Sequence, residues 1–208
     1  MHIEPGYVSA TKIALANITA ISMLGSQSLQ LVRQPQLMVR TLLAAIFFSV
    51  FMQMFHLQVG PSELHFVGAM PIYLTLGFVP TLIGFGLGLL LQGLLFNPAD
   101  LVHLSINFLS LAVPLGLLHA TLGKRVQKLD IKTILKLDAA YYSGVTLMVG
   151  FWLSIGEVAT PLAAWAGFAA SYISIVLIEP VFTWVIVKGL ARYKDSSILR
   201  YCFDLRAA

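Results

Sequence analysis

A chain of 208 residues that is 58% hydrophobic and 11% charged, with a mean hydropathy of +0.86, lies outside the usage of soluble proteins. The net charge of +4 does not point to nucleic acid, because the basic residues stand in short blocks between apolar runs, as on the loops of a membrane protein. The lone cysteine, Cys202, excludes a disulfide within the chain.

Uncharged apolar runs of about 18 residues or more read as transmembrane helices, because about 20 residues at 1.5 Å rise cross the hydrocarbon. The runs here are Ile13–Val32, Thr41–Ser62, Leu64–Ala99, Leu101–Gly123, Ala139–Gly156 and Val158–Ile178. None alternates in polarity as a barrel strand does. Leu64–Ala99 is too long for one span, and Gly77 and Pro80 divide it. The expected spans are 12–32, 41–57, 66–78, 80–96, 101–119, 137–156 and 162–188. The expected fold is therefore an all-α polytopic membrane protein of about seven helices. It forms a single domain over residues 1–208 with a short basic tail at 189–208. The first twelve residues include Glu4 and Pro5 and lack an Arg-rich leader, so no cleavable signal is expected.

Seven spans put the termini on opposite sides, and charge chooses the sides. Arg33 and Arg40, the block Lys124, Arg125, Lys128, Lys132 and Lys136, and the tail residues Lys188, Arg192, Lys194, Arg200 and Arg206 share one face. Only Lys12 among the basic residues falls on the other, together with Glu4, Glu63, Asp100 and Glu157. By the positive-inside rule the amino terminus is outside and the carboxyl terminus cytoplasmic.

That topology brings Met1-His2 and the connection carrying His65 to one aqueous face. A free Met1 amine, the His2 backbone nitrogen, the His2 imidazole and one more imidazole such as that of His65 make a four-nitrogen set. A planar nitrogen set suits Ni(II) or Cu(II) among divalent ions. Glu4-Pro5-Gly6 supplies a turn that folds the terminus back. His103 and Asn107, four residues apart on one helical face, reach the same side; His103 is a candidate for orienting a metal-bound imidazole. His119 reads as a helix-end residue and His56 as a packed interfacial histidine. The pairs Ala10/Ala14, Ala16/Ala20 and Gly84/Gly88 have the small-residue spacing of close helix approach, and are weak candidates for partner docking.

These residues resemble the CbiM/NikM family, the substrate-capture membrane components of energy-coupling-factor transporters for cobalt and nickel. The resemblance rests on Met1-His2-Ile3-Glu4-Pro5-Gly6, on Ser62 to His65 with Gly68 following, on Leu91-Gln92-Gly93-Leu94-Leu95-Phe96, and on Asn107-Phe108-Leu109-Ser110 with Pro114. The ordered set runs to about residue 190. It implies that Met1, His2 and His65 hold the metal, with Ser62 and Asn107 as polar neighbours. Glu63 and His103 depart from the family pattern, and a carboxylate at Glu63 would raise affinity for any divalent ion. The resemblance also implies a non-enzymatic subunit of the cytoplasmic (inner) membrane that carries Co2+ or Ni2+ as cargo and has no prosthetic group. Its partners are a membrane coupling subunit, ATPase subunits and a small accessory membrane subunit. The sequence has no Gly-x-x-x-x-Gly-Lys-Ser/Thr motif of its own.

Two other classes stay open. An intramembrane enzyme finds no His-Glu-x-x-His or Gly-x-Ser-x-Gly motif to support it. A proton-coupled solute carrier could use Glu179, a carboxylate inside a span and so a functional candidate by default; a helix kink at Pro180 is the alternative reading of that site.

Overall fold

The computed structural model describes residues 2–3, 6–59, 62–126 and 129–204. Eight helices account for most of it: α1 (Ala10–Arg33), α2 (Pro35–Met54), α3 (Ala69–Leu76), α4 (Phe78–Leu95), α5 (Leu104–Thr121), α6 (Ile131–Ser154), α7 (Leu162–Ala191) and α8 (Ser197–Cys202). Among the described residues, four helical stretches are long and apolar enough to cross a membrane: α2, α4, residues 98–125 containing α5, and α7. The chain is a helical membrane protein. At 24 residues each, α1 and α6 have the length to cross but a more polar composition.

The division at Gly77 holds. Its φ of 92° lies in the region open to glycine and separates α3 from α4. The expected third span, however, is not a spanning helix. With eight residues α3 is about 12 Å long. The chain instead traverses the molecule partly as extended backbone from Ser62 and partly as α3. That route is buried: Ser62, Val67, Ala69, Met70, Ile72 and Leu76 are all fully enclosed. Non-helical backbone at such depth is tolerated only inside protein, where its polar groups find partners.

The architecture is all-α, as expected, with one small addition. Three short strands, β1 (His2–Ile3), β2 (His56–Val59) and β3 (Ser62–His65), form an antiparallel sheet in the order β1-β3-β2. Residues 56–57, expected at the end of the second span, belong to this sheet, since α2 stops at Met54. Arg40, expected in a connection, lies inside α2.

Helices pack through small residues within the chain. A side chain at Gly84 would meet the Ala44 Cβ at 2.4 Å, and one at Gly88 would meet the Phe48 ring at 2.4 Å. Ala16 and Ala20 are likewise buried. The Gly84/Gly88 and Ala16/Ala20 pairs thus close internal contacts rather than waiting for a partner; Ala10 and Ala14 stay exposed. The outer faces carry Leu15, Ile18 and Ile21 on α1 and Ile173, Leu177 and Val185 on α7, the apolar coat that lipid requires.

Candidate metal centre at the amino-terminal sheet

Pleating sorts the sheet into two faces, because directly paired residues share a side. Ile3 pairs with Ser62, and with Leu64 this face turns inward: the three residues are 1%, 0% and 1% exposed. On the other face stand Glu63, His65 and His56, with His56 paired to His65. His2 takes the register position opposite Glu63. Because Ile3 lies opposite Ser62 and His2 opposite Glu63, β1 runs toward the His65 end of β3 as it approaches the amino terminus. Met1 and the His2 side chain lie outside the described residues.

The start of the chain is clamped. Asn107 Oδ1 accepts the Ile3 amide at 3.2 Å, and the Ile3 carbonyl accepts His103 Nδ1–H at 2.9 Å. His103 and Asn107 are both 1% exposed. The two residues expected on one helical face therefore grip the two backbone polar groups of one residue, the one after His2. The Nδ1 of His103 is engaged by backbone, and its Nε2 is buried with no partner among the described residues. The turn leading away from the strand includes Gly6 at φ 94°; Glu4 and Pro5 lie outside the described residues.

His65 is 6% exposed. Its Nδ1 lies 3.5 Å from the Met52 carbonyl at the end of α2, and its Nε2 lies 3.0 Å from Glu63 Oε2. The other Glu63 oxygen accepts from His56 Nδ1 at 3.0 Å, and the His56 and His65 rings lie parallel within 27° with centroids 6.1 Å apart. Glu63 thus bridges two imidazoles. A ring anchored at Nδ1 by a carbonyl presents Nε2 to a cation. In this state that nitrogen faces a carboxylate, so an arriving ion meets an anion already in place.

His56 is the residue that helical periodicity hid. Its signal was local: the alternating His56-Leu57-Gln58-Val59 directly precedes Gly60-Pro61, a turn dipeptide. Among the described residues no group of three or more His, Cys, Asp or Glu side chains is arranged to hold an ion.

At the other end of the molecule a cavity of about 690 Å³ is lined by Gln27, Gln30, Gln34, His119 and Lys124, among others. It offers no nitrogen set comparable to that expected at the sheet. Its histidine is occupied: His119 Nδ1 is hydrogen-bonded to the Tyr73 hydroxyl at 2.8 Å, and the ring stacks on Phe78 at 4.2 Å. His119 is the packed helix-end residue its position suggested.

The family described as "Cobalt uptake substrate-specific transmembrane region" (CbiM) matches residues 2–197, nearly the whole chain. The chain belongs to this family. Membership of CbiM makes it a membrane transporter component for metal uptake. A solved structure described as a transition metal transporter shares the fold, with a TM-score of 0.74 and 21% identity over 96% of each chain. A truncated transition metal transporter gives a TM-score of 0.72 and 21% identity, over 93% of this chain and 99% of that one. At such identity these two structures speak for the fold alone. No curated protein matches the chain.

Proposed function

We propose that this CbiM chain is the capture component of an energy-coupling-factor transporter, taking up cobalt or nickel. The ion is held by the Met1 amine, the His2 backbone nitrogen and imidazole, and the His65 imidazole. One observation carries this reading: the strand beginning at His2 pairs directly with the strand bearing His65, sixty residues away, and is pinned there by Asn107 and His103. A frayed terminus could not hold a cation in fixed geometry; a strand bonded on both polar groups can. Ser62 underlies the site from the inward face, and Glu63 adds compensating negative charge.

In the same reading the chain crosses the cytoplasmic membrane seven times, with Ser62–Leu76 as the third crossing. The amino terminus is outside and the basic end cytoplasmic. The chain hydrolyses nothing itself, carries no prosthetic group and works as one domain. ATPase subunits and a membrane coupling subunit supply the energy, with a small accessory membrane subunit beside them.

The ligands must be deprotonated to bind, so capture weakens as pH falls through the range where imidazole protonates. Calorimetry with Ni2+ and Co2+ tests the site. His2→Ala, His65→Ala and a variant with one residue added before Met1 are expected to lose tight binding while remaining folded, and His119→Ala to retain it. Undiminished affinity in the extended variant would overturn the amino-terminal site. The runner-up reading, a proton-coupled solute carrier, draws on the burial of Glu179 at 0% exposure. It requires proton-coupled solute transport by the chain alone in vesicles, whereas capture requires no transport without the ATPase partners.

A further inference from the structure

In register, Glu63 is nearer to the start of the chain than His65 is. In the pairing of β1 with β3, His2 stands opposite Glu63, and His65 lies two residues further along the same face. Directly opposed positions on a sheet are about 4.5–5.5 Å apart at Cβ, and diagonal ones about 7–8 Å. An ion shared between His2 and His65, as proposed above, therefore lies beside position 63, which carries a carboxylate.

That carboxylate is already placed as a donor. Glu63 Oε2 is 3.0 Å from His65 Nε2. Two donors that each lie about 2.1 Å from one ion, at right angles to each other, are about 3.0 Å apart. An imidazolium–carboxylate pair has the same spacing; what favours a shared ion is the register. The second oxygen, Oε1, accepts from His56 Nδ1 at 3.0 Å. Ligating carboxylates are themselves held by hydrogen bonds of this kind, which fix their orientation. Accessibility falls along the row, from the His56 side chain at 58% through Glu63 at 24% to His65 at 7%. An outer imidazole thus steadies a half-sheltered carboxylate beside an inner imidazole.

We infer that Glu63 is a further ligand of the captured ion, binding through Oε2 beside His65 Nε2, and that His56 is the positioning residue that holds it there. This inference rests on the amino-terminal capture reading and deepens it. The ion has five donors rather than four: the nitrogens of Met1, His2 and His65, and one anionic oxygen. Four nitrogens in a plane complete the preferred set of Cu(II) or planar Ni(II). An added carboxylate suits an ion that takes five or six ligands, so the site is shaped for Co(II) and for non-planar Ni(II).

X-ray absorption on the full-length protein loaded with Ni2+ reads the coordination geometry. The unmodified protein is expected to lack the pre-edge band of planar four-coordinate nickel. Glu63→Leu, which keeps the bulk and removes the donor, is expected to gain it. Calorimetry with Co2+ is expected to show affinity lowered about 10–100-fold in His56→Ala and largely restored in His56→Asn, whose amide N–H donates in place of Nδ1. A planar band in the unmodified protein, or a spectrum that Glu63→Leu leaves unchanged, overturns the carboxylate ligand. Equal affinity in His56→Ala and the unmodified protein overturns the positioning role. If Glu63→Leu does not fold, the unmodified spectrum and the same comparison in Glu63→Gln decide the first point. His2→Ala keeps the two readings apart. Tight binding retained there sinks the amino-terminal site itself, whereas binding lost there, with a spectrum unmoved by Glu63→Leu, sinks the carboxylate ligand alone.

Discussion

Gly68 concentrates two constraints in one residue. Its φ of 60° costs an ordinary L residue about 1–2 kcal/mol, and a Cβ there would sit 2.1 Å from the Phe51 ring. Gly68→Ala is expected to destabilise the protein by more than that strain alone and to lower its melting temperature. Gly25→Ala and Gly167→Ala, whose added Cβ meets nothing within 4 Å, serve as controls and are expected to be neutral or slightly stabilising through helix propensity. Glycine at 68 was legible in the sequence as part of a resemblance; the reason for it was not, because Phe51 belongs to another helix. His56 was misread for a related reason. A histidine after an apolar helix looks like that helix's end until pairing with residue 65 shows it to be a strand.

At the scale of elements, the amino-terminal strand stays in place through one residue's two backbone bonds. Asn107→Ala removes the acceptor for the Ile3 amide, and stranding a buried donor costs about 1–3 kcal/mol. If that bond positions the site, calorimetry on this variant should show Ni2+ or Co2+ affinity reduced at least tenfold with the helices intact by circular dichroism. Helix packing makes a parallel prediction. Gly84→Ala forces a Cβ to 2.4 Å from that of Ala44 and 3.1 Å from its backbone, an overpacking cost of about 1–3 kcal/mol readable as a loss of thermal stability in detergent. The small-residue spacing was visible beforehand, but whether it served a partner or the chain itself was not, since periodicity identifies a face without naming its neighbour.

For the whole molecule, the two ends are fastened by charge. Arg40 donates to the Arg200, Tyr201 and Phe203 carbonyls, closing the carboxyl end of α8 (Ser197–Cys202) against α2. Arg40→Met is expected to release this tail, seen as faster proteolysis within residues 196–204. At the sheet end, Lys12 Nζ lies 2.6 Å from Glu157 Oε1, tying α1 to the α6–α7 connection. The hydrogen bonds from Lys12 and Ser9 hold the exposed Glu157 carboxyl below its usual range. A depressed folded-state value means the contribution is present above the ordinary glutamate range and is lost as pH falls through the folded value. The melting-temperature difference between Lys12→Met and the unmodified protein should therefore be small, as exposed pairs are, present at neutral pH and absent in acid.

The sequence alone determined that the chain is a helical membrane protein, that Gly77 breaks one apolar run in two, and that His2 and His65 are candidates for one site. Hydropathy, helix length and backbone chemistry are local properties, and each of these conclusions rests on them. Only the tertiary structure decided that the third apolar stretch is a buried strand and a short helix rather than one spanning helix. It also decided that His103 and Asn107 hold Ile3 backbone groups, and that Glu179 caps a helix whose own N-cap is glycine. Each of those is a pairing between residues up to about a hundred positions apart. The partner of a buried polar group is fixed by packing in three dimensions, and no spacing along the chain encodes it.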